Sequence, residues 1–247
     1  MKITLTPRLV ALILTAVIVV LLGAHFVGLL LIFRFDIHNG FGFIPMTQLN
    51  AERNVPTFFC AGLMAFAGLL FGLIGYARKD MGRDKYYWGA LGLLMLFFAV
   101  DELIMIHERL NEPMKRLLQL EGYYWFVWVV PYVVLALILF FAFFGFFKNL
   151  PARTRNLLIL GAVVFVAGAI GIEVLSGVYL ELAVKAHTFN EVYYEIASGF
   201  EEIFEMAGLV IVVYALLAFI TTEFGEIGLH VASTKTTDQA IVSVRRR

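Results

Sequence analysis

Residues Leu9–Phe33 read LVALILTAVIVVLLGAHFVGLLLIF, an apolar run in which His25 is the only ionisable side chain. As a helix rising 1.5 Å per residue, such a run is longer than the ~30 Å hydrocarbon core of a bilayer. Lys2 and Arg8 precede it, as in a signal peptide. The apolar run continues past Gly23 without a small-x-small cleavage pattern, so it is expected to be a retained helix. Five further runs of similar length follow: Thr57–Ala77, Tyr87–His107, Tyr123–Phe147, Asn156–Leu182 and Tyr194–Ile220. Hydrophobic residues make up 61% of the 247 positions and the mean hydropathy is +0.87. Soluble domains are about 45–50% apolar. The expectation is therefore an all-α polytopic membrane protein with six transmembrane helices over 1–222 and a polar cytoplasmic tail over 223–247.

Charge sets the expected orientation. Of the 19 Lys and Arg residues, 13 fall in the N-terminus, the 78–86 and 148–155 loops and the tail, and the other three loops hold six. The positive-inside rule places both termini in the cytoplasm. Asp and Glu also number 19, so the balanced charge gives no reason to expect a nucleic-acid partner. The expected partners are the lipid bilayer and either a second copy of the chain or another membrane subunit. The one cysteine, Cys60, cannot form an intrachain disulfide and reads as a small core residue. Tyr123, Tyr124, Trp125 and Trp128 read as an interfacial aromatic belt. Pro131, inside the fourth run, is expected to kink its helix. Gly161, Gly168, Gly171 and Gly177 are expected to permit close helix packing.

Within this apolar frame lie seven acids: Asp101, Glu102 and Glu108 in the third run, Glu173 in the fifth, and Glu201, Glu202 and Glu205 in the sixth. Each charge at bilayer depth costs about 3 kcal/mol or more. With six spans and cytoplasmic termini, three non-adjacent helices deliver these acids to one layer, ~20–30 Å above the inner boundary. In a continuous helix Asp101 and Glu108 share a face, with Met105 near it, and Glu201 shares a face with Glu205. The leading constellation is Asp101, Glu108, Glu173, Glu201 and Glu205. Glu102, His107 and Glu202 form a second rank, and the eight together are the candidate metal ligands. Carboxylate-rich sites suit hard or borderline ions, so the expected cofactor is a divalent Fe, Mn, Zn or Ca ion. Neither Glu-x-x-His nor His-Glu-x-x-His occurs, which argues against a standard di-iron centre or zinc protease. His25, His38 and His187 are weaker candidates.

Three functions compete on these residues. The leading expectation is divalent-metal binding in the periplasmic half of the bilayer, in support of a membrane-embedded redox or hydrolytic reaction. The second is proton- or cation-coupled transport, since intramembrane acids and histidines mark such paths. The third is a non-catalytic subunit of a membrane complex, with acids paired for structure, for instance with Arg34 or Arg109. No catalytic residue and no substrate is assigned.

Asp101-Glu102 followed by Ile106-His107-Glu108, together with Glu201-Glu202-x-x-Glu205, resembles a group of small multi-pass bacterial inner-membrane proteins without an assigned activity. The resemblance covers Asp101–Glu108 and roughly the second half of the chain. It implies a bacterial inner-membrane location and transfers no mechanism.

Overall fold

A computed structural model describes residues 6–79, 82, 84–119, 127–225, 227–230 and 241–244. Among them, six helical segments are long and apolar enough to cross a membrane, which fits a multi-pass membrane protein. They are α1 (Pro7–Phe35), α3 (Val55–Ala77), α4 (Asp84–Ile104), α7 (Val129–Asn149), the segment Ala152–Lys185, and α10 (Glu191–Phe224). Ala152–Lys185 comprises α8 (Ala152–Val166), a π-helical turn (Ala167–Ile172) and α9 (Glu173–Lys185). Three short helices lie in the connections: α2 (Phe43–Thr47), α5 (Ile106–Arg109) and α6 (Asn111–Leu117). The tail adds an antiparallel pair, β1 (Ile227–His230) with β2 (Ile241–Val244), in which Ile227 faces Val244.

The helix starts follow local chemistry. Thr6, Asn54 and Asn190 each accept a backbone N–H of the first turn of α1, α3 and α10, satisfying donors that the helix itself leaves free. Pro7 and Pro56 occupy first-turn positions where no N–H is needed. Pro131 belongs to the same class. Its helix begins at Val129, so it sits in the first turn of α7 and removes no helical hydrogen bond; the expected mid-span kink does not occur.

α10 is the central post, packed on α1, α3, α8 and the π-helical turn. Glycines bring it unusually close to the segment before Glu173. A Cβ on Gly161 would meet the Gly208 carbonyl oxygen at 2.8 Å, and one on Gly168 would meet the Glu201 carbonyl oxygen at 2.7 Å. Gly68 and Gly92 similarly let α3 lie against α4. Of the four glycines expected to pack, Gly161 and Gly168 do so, whereas nothing lies near Gly171.

Two apolar clusters stack along this post. One centres on the fully buried Trp88, set among Phe71, Phe146 and Phe219. The other holds Ile18, Leu21, Cys60, Met64, Met206 and Leu209, with Leu49 of the connecting loop.

The third span does not run as one helix to His107. Met105 adopts φ 55° and ψ 52°, a left-handed conformation that ends α4 at Ile104 and starts α5 afresh. Asp101 and Glu108 therefore do not share a helical face, which corrects the expectation from a continuous helix.

Candidate functional site

Side chains of α3, α4 and α10 converge on one point. Cys60 of α3, Glu102 of α4 and Glu205 of α10 each offer one ligand atom, and the three atoms lie within 4.8 Å of one another. Cys60 is fully buried and Glu205 is 9% exposed. Glu202, one turn before Glu205, has a buried Oε2 without a hydrogen-bond partner. The charges of Glu102, Glu52 and Glu173 act on it. Glu201 is in side-chain contact with Glu173, and the latter's Oε1 also accepts the indole N–H of Trp128 at 3.4 Å. Two touching carboxyls avoid repulsion only by sharing a proton or a cation.

Asp101 is engaged elsewhere. Its Oδ1 accepts the backbone N–H of His107 at 2.8 Å and lies 3.1 Å from His107 Nδ1, and its Oδ2 accepts the Tyr132 hydroxyl. The left-handed Met105 folds the chain back so that Asp101 caps the new turn. His107 packs on the Trp128 ring, with centroids 4.9 Å apart, and Trp128 meets Tyr132 edge-on. Asn111 Oδ1 accepts the Trp128 backbone N–H at 3.0 Å. Burial pushes the His107 imidazole down, but the Asp101 carboxylate outweighs it and holds the histidine above its ordinary value.

The loop after α1 closes one flank of the cluster. Leu49 N–H donates to Nδ1 of the buried His25 at 3.1 Å, and Asn50 Nδ2 donates to Glu195 Oε1 at 2.7 Å. Asn54, also buried, donates to the Gln48 carbonyl at 2.5 Å and caps α3 through its Oδ1. Between these anchors the loop presents Glu52 toward Glu108, His107 and Glu173.

Of the eight residues expected to form one site, five are brought together: Glu102, Glu173, Glu201, Glu202 and Glu205. Asp101 and His107 form a pair beside them. Glu108 is exposed and faces Glu52 from the rim. Among the described residues, neither Arg34 nor Arg109 makes an ion pair with an acid. His25 serves the loop, and His38 pairs with Asp36 at 3.0 Å in an exposed position.

Three participants were not expected from sequence. Cys60 reads as an ordinary core residue until the fold sets it beside two glutamates. Glu52 lies outside every apolar run. Trp128, expected in an interfacial belt, is 8% exposed and bonded to Glu173. Its partners in that expectation, Tyr123, Tyr124 and Trp125, lie outside the described residues.

Among curated proteins and among solved structures, nothing matches the chain. A family model described as a domain of unknown function (DUF8692) matches residues 10–219, most of the chain, and the protein therefore belongs to that family.

Proposed function

We propose that the protein is a divalent-metal-binding protein of the bacterial inner membrane, with both termini cytoplasmic and the acid cluster toward the periplasmic face. The orientation rests on the excess of Lys and Arg in alternate loops.

One observation carries the metal reading: the convergence of Cys60, Glu102 and Glu205 from three helices. An ion bonded at about 2.0–2.3 Å to thiolate and carboxylate keeps its ligand atoms within about 4.5 Å of one another. The 4.8 Å span closes onto such an ion with a contraction of a few tenths of an ångström. Glu202, one turn before Glu205, carries a buried oxygen without a hydrogen-bond partner. A divalent ion would supply the counter-charge that makes buried carboxylates tolerable. The thiol favours Zn or Fe over the harder ions Mn and Ca. When bound, such an ion would supply Lewis acidity, or in the case of iron or manganese redox chemistry, for a hydrolytic or redox reaction.

A second reading, proton- or cation-coupled transport, is favoured by the Glu173–Glu201 contact, which calls for a shared proton or cation. Elemental analysis of chelator-free protein in detergent separates the two. About one equivalent of metal per chain, lost in Glu102→Gln and Glu205→Gln, supports the metal site. Folded protein that neither holds nor takes up metal, and that carries a pH-dependent flux in liposomes, supports transport instead.

A further inference from the structure

At the end of the spans away from the acid cluster lies a cavity of about 160 Å³, lined by Arg78, Asp84, Glu223, Phe146 and the α7–α8 junction at Asn149, Leu150 and Pro151. Glu102 lies ~27 Å further along α4 than Asp84, at 1.5 Å per residue. The lining comes from span ends. Arg78 follows the last residue of α3, Asp84 is the first residue of α4, Phe146 is in the last turn of α7 and Glu223 in that of α10. Span ends stand at the depth of the lipid headgroups. The volume is well below the ~300–1,000 Å³ of pockets that take drug-sized ligands, so it suits one small polar group.

Charges of both signs stand around this cavity without closing on one another. The Arg78 guanidinium lies over the Phe219 ring, 5.6 Å from its centroid, and its side chain is 16% exposed. Its contact with Glu223 spans 4.0 Å, whereas a structural guanidinium–carboxylate pair closes to ~2.7–2.9 Å. The buried Nε of Arg78 has no hydrogen-bond partner. Among the described residues Asp84 has no ion pair. Phe146 forms a firm wall, packed edge-on against Trp88 with centroids 5.2 Å apart.

We propose that the cavity binds the headgroup of a phospholipid that carries both a phosphate and a primary ammonium, with Arg78 taking the phosphate and Asp84 and Glu223 the ammonium. An anion alone would meet two carboxylates, and a cation alone would meet Arg78. A guanidinium matches phosphate oxygens in a two-pronged geometry. A primary ammonium brings three N–H donors to the carboxylates, and a quaternary one brings none. α8 starts directly after Pro151 with no side chain capping it, and such a helix start favours the phosphate. The position at the span ends selects a lipid over the free headgroup compound. From Asn149 the exposed Phe140, Phe141 and Phe144 of α7 lead toward the membrane interior as a bed for acyl chains. The proposal does not depend on the metal reading.

The test is native mass spectrometry of the detergent-purified protein mixed with equal amounts of phosphatidylethanolamine, phosphatidylcholine and phosphatidylglycerol of the same acyl chains. Wild type is expected to hold phosphatidylethanolamine about tenfold over either other lipid, the scale of one hydrogen bond to a charged group. The Asp84→Asn/Glu223→Gln double variant is expected to lose that preference and to hold phosphatidylethanolamine and phosphatidylcholine alike. Arg78→Gln is expected to weaken all three, since each carries a phosphate. If Arg78→Gln does not fold, the carboxylate variant decides alone. Glu191→Gln, at the exposed far end of α10, is expected to match wild type. Equal binding of the three lipids to wild type overturns the proposal, and so does a preference that survives in Asp84→Asn/Glu223→Gln. A preference for phosphatidylglycerol overturns it in favour of a plain anion site. Displacement of the lipid by an equimolar amount of soluble phosphoethanolamine overturns the lipid as the source of the headgroup.

Discussion

Gly168 lies so close to Glu201 that a Cβ on the glycine would stand 2.7 Å from the glutamate's carbonyl oxygen. This contact fixes the distance between the π-helical turn and α10, and so the distance between Glu173 and Glu201. Neither backbone can yield to a methyl group without moving a helix.

Gly168→Ala and Gly208→Ala are therefore expected to lower stability by about 1–3 kcal/mol, the usual range for overpacking a tight contact. Gly62→Ala, where nothing lies within 4 Å of the added atom, should be neutral or slightly stabilising. Thermal unfolding in detergent measures the difference. Equal melting temperatures for all three variants would show that the helices do not approach as described.

Met105 supplies the second test. Its left-handed backbone costs a non-glycine residue about 1–2 kcal/mol, and glycine avoids that cost at some expense in chain entropy. Met105→Gly is expected to be close to neutral. Met105→Ile, β-branched and therefore worse at positive φ, should destabilise by about 1–2 kcal/mol. If α4 instead ran straight through to His107, the order would reverse, because isoleucine is the better helix former. Unfolding midpoints of the two variants decide between the geometries.

The six long apolar helices were legible because length and apolarity alone determine them, and each overlaps most of its run from Leu9–Phe33 to Tyr194–Ile220. Which acids face one another was legible only in part, because wheel geometry assumes an unbroken helix. The left-handed Met105 detaches His107 and Glu108 from the α4 face. The π-helical turn at Ala167–Ile172 changes the residue count just before Glu173. Glu201, Glu202 and Glu205 sit on unbroken helix, and there the periodicity holds. Cys60 and Glu52 carry no local signal. One matches its apolar neighbours, the other sits in a polar loop, and only tertiary packing gives either a place beside the cluster.

The Asp101–His107 pair has a defined pH signature. With the imidazole held above its ordinary value by the carboxylate, the protonated form is favoured in the folded state. The stability gained is full below about pH 6.5, the value for an unfolded histidine, and is lost as pH rises through the higher folded value. Histidine-selective NMR in detergent should place the His107 midpoint above that of a free histidine. Asp101→Asn should bring it down, since the strongest influence opposing burial is then gone and only the charges of Glu102 and Glu108 still raise it. A wild-type midpoint at or below about 6.5 would remove the charge pairing.

Metal linkage gives the most direct test of the buried group. An ion that binds only the folded protein stabilises it by about 2.7 kcal/mol at a hundredfold excess over its dissociation constant. Added Zn²⁺ or Mn²⁺ should therefore raise the wild-type melting temperature, and a chelator should reverse the rise. Glu205→Gln keeps the shape of the side chain but removes a charge from the group formed with Cys60 and Glu102. It should melt higher than metal-free wild type, because one fewer carboxylate is buried without compensation, and should respond little to added ion. Cys60→Ser should bind Mn²⁺ about as well as wild type and Zn²⁺ more weakly, because a hydroxyl is a poor substitute for thiolate only toward the softer ion. A melting temperature indifferent to both metals in wild type, or an equal response in Glu205→Gln, would mean that the three side chains meet without holding an ion.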